Sequence, residues 1–140
     1  ISHDAERLSA LLFVDLDHFK RVNDEHGHDV GDECLREVAR RISNTLRFGD
    51  VLGRYGGEEF VIGLPQMHVD DASAMAERIR TAVGSLPIVC DDLAIAVTIS
   101  IGVAVLDDGL AGYDDAIKRA DRARYASKRA GRDRVSALPA

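Results

Sequence analysis

Two groups of acids, well apart in the sequence, are the residues here that could do chemistry. Asp15 and Asp17 end an apolar run from Ala10 to Leu16, and Glu58 and Glu59 follow directly on Gly56 and Gly57. Adjacent carboxylates are costly to desolvate together unless a cation lies between them. If the two segments are neighbouring strands, Asp15 converges with one or both glutamates. Hard oxygen donors of this kind suit Mg²⁺ or Mn²⁺, and Mg²⁺ commonly binds through one or two carboxylates plus substrate phosphates. Two such ions about 4 Å apart suffice to activate a hydroxyl and clamp a triphosphate. A lone Asp-x-Asp reads more simply as a solvated strand end; with Gly-Gly-Glu-Glu beside it, metal binding is the better account.

A second constellation surrounds His18-Phe19-Lys20-Arg21-Val22-Asn23. It begins where a strand gives way to a helix, and a helix N-terminus offers free N–H groups and a positive dipole end to phosphate. Lys20 adds a full charge. Asn23 and Asp32 are candidates for reading a base, because an amide and an acceptor carboxylate together match the donor and acceptor edge of guanine. By pattern alone they are also an ordinary helix-end residue and a helix N-terminal charge. His18, His26 and His28 do not have the spacing of a zinc site. Arg47 and Asp50 flank a two-residue turn before the Gly-Gly pair. They read either as a turn ion pair or as a guanine site, since arginine bonds a Hoogsteen edge bidentately.

The elements that must hold these residues follow from periodicity. Val51–Tyr55 and Phe60–Leu64 joined through Gly56-Gly57 predict a β-hairpin, with glycine supplying the positive φ of a tight turn. Phe19 to Glu25 predicts a short helix that breaks at Gly27. From Val30, Leu35, Val38, Ala39, Ile42 and Leu46 recur at helical spacing over four to five turns. A third helix has Ala72, Met75, Ala76, Ile79 and Val83 on its inner face, with Asp70 or Asp71 as cap. Ala94 to Leu106 alternates at period two and predicts one strand whose second face, Thr98, Ser100, Gly102 and Ala104, is small enough for something to pack on it. Leu86 to Cys90 is its short hairpin partner. A last helix from about Asp114 to Ala130 stops at Gly131, and Arg134 to Leu138 adds an edge strand. This is an antiparallel-rich α/β sandwich with helices covering the sheet.

The chain has 140 residues, enough for one domain with a real core. Cys34 and Cys90 are too few for a disulfide framework and read as reduced, buried residues of a cytoplasmic protein. No apolar run approaches the roughly 20 residues of a membrane span. The net charge of −6 argues against binding long nucleic acid. It is uneven: the segment from Lys118 to Arg134 carries +6, leaving −12 elsewhere. Most of those cations read as a solvated helix face.

The segment Asp15-Leu16-Asp17-His18-Phe19-Lys20-Arg21-Val22-Asn23-Asp24, with Gly27-His28 and Gly31-Asp32, closely resembles the GGDEF family, the diguanylate cyclases. So do Arg54-Tyr55, the Gly56-Gly57-Glu58-Glu59-Phe60 signature in its Glu-for-Asp version, Ser100-Ile101-Gly102, Ala120-Asp121, Tyr125-Ala126-x-Lys128 and Gly131-Arg132-x-Arg134. Two departures stand out. The usual opening helix with Asp-x-Leu-Thr-x-Leu-x-Asn-Arg is missing, so residues 1–140 read as one catalytic domain cut from a longer protein, with its regulatory domain and any membrane anchor elsewhere. Arg124 stands where a leucine usually precedes the tyrosine.

The resemblance implies an α/β (α+β) fold with a central, mostly antiparallel five-stranded sheet surrounded by helices, similar to nucleotide cyclase and polymerase palm domains. It implies metal ligation by Asp15, Glu59 and the Leu16 carbonyl, with Glu58 at the metal assisting deprotonation. Phe19 and Lys20 resemble a phosphate-holding turn, Lys128 and Arg132 reach in from the last helix, and Asn23 and Asp32 read guanine. Gly56 and Gly57 resemble the family's bare backbone beside the nucleotide. The implied reaction condenses two GTP into cyclic di-GMP across a homodimer. Arg47 and Asp50, with Arg78, resemble an inhibitory product site. The rival readings are a non-cyclising receptor for cyclic di-GMP or GTP, disfavoured because the site residues are intact, and a cyclase or palm domain with other products, disfavoured by the signature and the guanine readers.

Overall fold

The computed structural model describes residues 8–106 and 112–137. The apolar run forms β1 (Leu8–Leu16), buried over its last seven residues. Two helices follow, α1 (Phe19–His26) and α2 (His28–Thr45), separated by Gly27 at φ 91°. The predicted hairpin is β2 (Val51–Arg54) and β3 (Glu59–Pro65). Next come α3 (Val69–Gly84), the short strands β4 (Ile88–Cys90) and β5 (Leu93–Ile95), β6 (Ile99–Val105), α4 (Tyr113–Ala130) and β7 (Arg134–Ala137). The main sheet has five strands in the order β2-β3-β1-β6-β7. Only β6 and β7 run parallel; β1 is antiparallel to both its neighbours, as β2 is to β3. The expected mostly antiparallel five-stranded sheet is therefore present.

Period-two alternation divides the side chains between two faces. Leu12, Val14, Leu16, Ile62, Ile99 and Ile101 point one way, into a core with Val38 and Ile42 of α2 and Ile79 and Val83 of α3. Each such burial contributes roughly 1.5–3 kcal/mol relative to exposure. On the opposite face Phe13 and Ala104 meet Ala120 of α4, with Val61 and Ile117 against them. The small residues of β6 are explained by this helix. A Cβ on Gly102 would run into the Ala120 carbonyl and the Arg124 amide, so α4 lies on bare backbone there. Among the described residues no helix is long and apolar enough to cross a membrane.

Three local expectations need correction. The alternating run from Ala94 is not one strand: Leu93–Ile95 pairs with Ile88–Cys90 in a separate two-stranded sheet, and β6 starts at Ile99. The cause is that β1 ends at Leu16, opposite Ile99, so nothing extends the ladder. Thr98 instead turns its carbonyl to the Asp17 N–H at 2.9 Å and its hydroxyl to the Asp17 carboxylate. Neither Asp70 nor Asp71 caps α3. The cap position is His68 in extended backbone, and the two acids occupy the first turn, where their charge meets the positive helix end. Lastly, the hairpin forms, but neither Gly56 nor Gly57 is among the glycines at positive φ.

Candidate active site

β1 and β3 run antiparallel so that Asp15 lies directly opposite Glu59, while β6 places Ser100 on its other side. Asp15 lies two residues beyond Phe13 and shares its face of β1, so it points toward α4. Glu58 is drawn in by its backbone: the Leu16 N–H donates to its carbonyl at 3.2 Å. The Glu59 side chain folds back over the turn, where a Cβ on Gly56 would collide with its Oε1. A side chain at 56 would displace the Glu59 carboxylate from this position, whereas Gly57 has open space. Arg54 clasps the turn from outside, donating to the Gly56 carbonyl at 3.1 Å and the Gly57 carbonyl at 2.6 Å.

The carboxylates disturb one another. Burial, opposed by nearby Lys128 and reinforced by Glu58, pushes the Asp15 carboxyl up to about 6. Burial and then the charge of Asp15 raise Glu59 as well. Asp15 Oδ1 is buried with no hydrogen-bond partner. Asp17 behaves oppositely. Burial acts to raise it, but bonds from Lys128, Ser100 and Thr98 prevail and hold it below the ordinary value. With the Asp133 N–H at 3.0 Å also donating, Asp17 is an anchor rather than a free ligand. What it anchors is Lys128, whose Nζ lies 2.7 Å from Asp17 and 3.1 Å from the Leu16 carbonyl.

Among the described residues, no three His, Cys, Asp or Glu side chains make a preformed metal cage. A magnesium-type ion needs few protein ligands and takes the rest from water and phosphate. The unpartnered oxygen of Asp15, the raised carboxyl beside Glu59 and the adjacent Leu16 carbonyl fit such an ion. Glu58 is at hand as a further donor.

The base-reading candidates lie across α1 and α2. Asn23 Oδ1 is buried and unpartnered, pressed on Gly31, where any Cβ would overlap it. The next residue, Asp32, is exposed and lines an open cleft with Asp29, Glu33, Arg36 and Cys90. At the start of α1, His18 takes a left-handed backbone, φ 58°. Phe19 is buried there and Lys20 projects into solvent. Arg132 is exposed in the turn after α4, at φ 65°. Asp15, Glu58, Glu59, the Leu16 carbonyl and Lys128 thus converge, whereas Lys20 and Arg132 are exposed and their side chains are not brought onto these carboxylates.

Arg47 and Asp50 form the turn ion pair. The Asp50 carboxylate has no exposed surface and takes the Arg47 N–H at 2.7 Å and the guanidinium at 3.0 Å. Arg47 also bonds the Pro65 carbonyl at 2.9 Å and stays 42% exposed. Arg78 is exposed on α3; its groove includes Asn44 and Thr45 but neither Arg47 nor Asp50.

One residue the sequence reading left aside enters the site. Arg124 donates to Asp15 Oδ2 at 3.0 Å, pairs with Asp121, and lies over the Phe13 ring at 5.3 Å. The available signal was its spacing of four from Lys128, which puts both cations on one face of α4.

Residues 1–134 match the family described as diguanylate cyclase, GGDEF domain. The chain is 42% identical over 135 residues to diguanylate cyclase A of Treponema denticola, covering 96% of this chain but 36% of that protein. It superimposes on diguanylate cyclase SiaD of Pseudomonas aeruginosa, solved with its activator SiaC, at a TM-score of 0.89 and 41% identity, over 94% of this chain and 50% of that one. The coiled coil and GGDEF domain of DgcB from Caulobacter crescentus, solved with c-di-GMP, gives 0.85 at 36% identity, over 92% of this chain and 69% of that one. The chain therefore spans about a third of one curated relative's length and half of a solved one, and it belongs to the GGDEF domain family of diguanylate cyclases.

Proposed function

We propose that this domain condenses two GTP into cyclic di-GMP with release of pyrophosphate, each of two protomers presenting one GTP to the other. The observation that carries this is Asp15 set directly opposite Glu59, with an unpartnered buried oxygen and Lys128 at its side. Mg²⁺ or Mn²⁺, as a pair of ions when bound, would activate the 3′-hydroxyl and neutralise the triphosphate. Asp15, Glu59 and the Leu16 carbonyl would hold the ion, and Glu58 would take the proton of the attacking hydroxyl. Lys20, Lys128, Arg132 and the N–H groups at the start of α1 hold phosphates, with Phe19 fixing that turn from the core. Asn23 and Asp32 select guanine. Gly56 lets Glu59 fold back, and bare Gly57 leaves the nucleotide room. In each step the 3′-oxygen bonds to an α-phosphorus, the bond to the β-phosphate breaks, and pyrophosphate leaves. Two such steps close the ring. Positioning and charge neutralisation supply most of the rate in transfers of this type.

Arg47 and Asp50, joined by Arg78, are proposed to bind the product as an inhibitor. Arg47 is exposed enough to turn toward a guanine edge while Asp50 stays anchored. The domain is proposed to act in the cytoplasm as one part of a longer signalling protein whose remaining parts regulate it. The test is incubation with GTP and Mg²⁺, reading cyclic di-GMP and pyrophosphate. Both products are expected. Tight guanine-nucleotide binding without turnover would instead mark a receptor.

A further inference from the structure

We propose that Arg124 is a positioning residue that sets how tightly the site takes its divalent ion, by standing as a built-in counter-cation on Asp15. The proposal rests on the metal-binding reading of Asp15 given above. Arg124 reaches from α4 to Asp15 Oδ2 at 3.0 Å, and the contact is largely sheltered, with the two side chains 17% and 10% exposed. In that shelter the guanidinium and a divalent cation compete for one carboxylate, and like charges at such range repel. Lys128 is 3.8 Å from the other oxygen of Asp15 and has Asp17 and the Leu16 carbonyl to hold it. Arg124 is held less completely. Its Nε is buried without a partner. Its other carboxylate, Asp121, is 46% exposed and lies one turn away on the same helix.

The guanidinium therefore has a ready second position. When an ion takes Asp15, Arg124 can keep Asp121 and the Phe13 ring, 5.3 Å from its centre, and release Asp15. The consequence is a site neutralised in the metal-free protein, at the expense of a weaker hold on metal. Such a site favours an ion arriving with a nucleotide, whose phosphates add the negative charge that Arg124 offsets.

The test titrates Mn²⁺ alone into metal-free protein, followed by electron paramagnetic resonance, for wild type, R124M, R124L and R124K, with circular dichroism to confirm folding. R124M keeps most of the side-chain length without the charge, and R124L is a second neutral variant should R124M fold poorly. Both are expected to bind Mn²⁺ at least about tenfold more tightly, the scale of one sheltered charged hydrogen bond. R124K should stay near wild type, and Asp15→Asn should remove the binding in every background. Without metal, R124M should melt below wild type, and saturating Mn²⁺ should reverse the order; a merely structural arginine would leave it unchanged. Equal or weaker Mn²⁺ binding by the folded neutral variants, binding that survives loss of Asp15, or no binding by any of the proteins overturns the proposal. Turnover is not read, so the outcomes are separable from the cyclase reading: a protein that makes cyclic di-GMP but shows equal affinities sinks only the role of Arg124.

Discussion

At the scale of single residues, the site is a set of groups held away from their preferred states. Asp15 ionises at 3.8 in ordinary surroundings and at about 6 here. Between those values the folded protein keeps a proton that the unfolded chain has lost. Stability of the metal-free fold therefore falls as pH rises through that window, and the penalty is complete above about pH 6. Asp15→Asn should accordingly melt higher than wild type at pH 8 in EDTA, with the gap closing as pH approaches ~4; a variant that melts lower at pH 8 would contradict the raised carboxyl. The same proton must leave before an ion can bind, so Mn²⁺ affinity should decline below about pH 6. Glu59→Gln keeps shape but loses charge, and turnover should drop by at least ~10² in a folded protein, the scale of one electrostatic contribution to catalysis. Gly31→Ala tests the base site. Its methyl must displace Asn23, so the preference for GTP over ATP should narrow in calorimetry. Undiminished GTP selectivity would detach Asn23 from base reading.

At the scale of elements, the site is a product of register and of one close helix–sheet approach. The first strand, the hairpin, α2 and α4 were legible because their periods are strong and their ends are marked by glycine or charge. The convergence of Asp15 with Glu59 was legible once the two strands were taken as neighbours. The break at Ala96–Thr98 was not, because period two runs straight through it; only the end of β1 and the needs of Asp17 decide it. The spacing of Arg124 from Lys128 put both on one face of α4, but its reach to Asp15 was not legible, because that depends on how α4 crosses the sheet. That crossing is set at Gly102. Gly102→Val would drive β6 and α4 apart against backbone atoms, and should cost about 3 kcal/mol or more in urea unfolding, the upper end for overpacking. If the variant is as stable as wild type, α4 does not lie where Arg124 and Lys128 require it. The turn after α2 is a second joint, since Arg47 ties it to the end of β3 through the Pro65 carbonyl. Arg47→Ala should weaken binding of cyclic di-GMP roughly ten- to hundredfold, the value of a bidentate base contact. Glu59→Gln should leave that binding nearly unchanged.

At the scale of the whole molecule, the chain is acidic at −6, yet it concentrates cations along α4 and the turn beyond it, and two of them, Arg124 and Lys128, reach the carboxylates of β1 and its end. Asn23 and Asp32 are the one pair proposed to read the guanine of a substrate GTP. On the cyclase reading proposed above, one protomer holds one GTP, whereas the product needs two phosphodiester bonds related by a two-fold axis. A symmetric pair of protomers satisfies this with each surface used twice. Two results follow if the pairing is real. Cyclic product formed per molecule should rise with protein concentration until the dimer saturates. An excess of Glu59→Gln protein, which still binds GTP, should draw wild-type protomers into mixed pairs able to make only one of the two bonds. Chromatography should then find less cyclic di-GMP per wild-type molecule, together with the linear dinucleotide that one transfer leaves behind. A rate per molecule independent of concentration, with the inactive variant inert in the mixture, would mean that each chain closes the ring alone, and the symmetric account of the site would have to be abandoned.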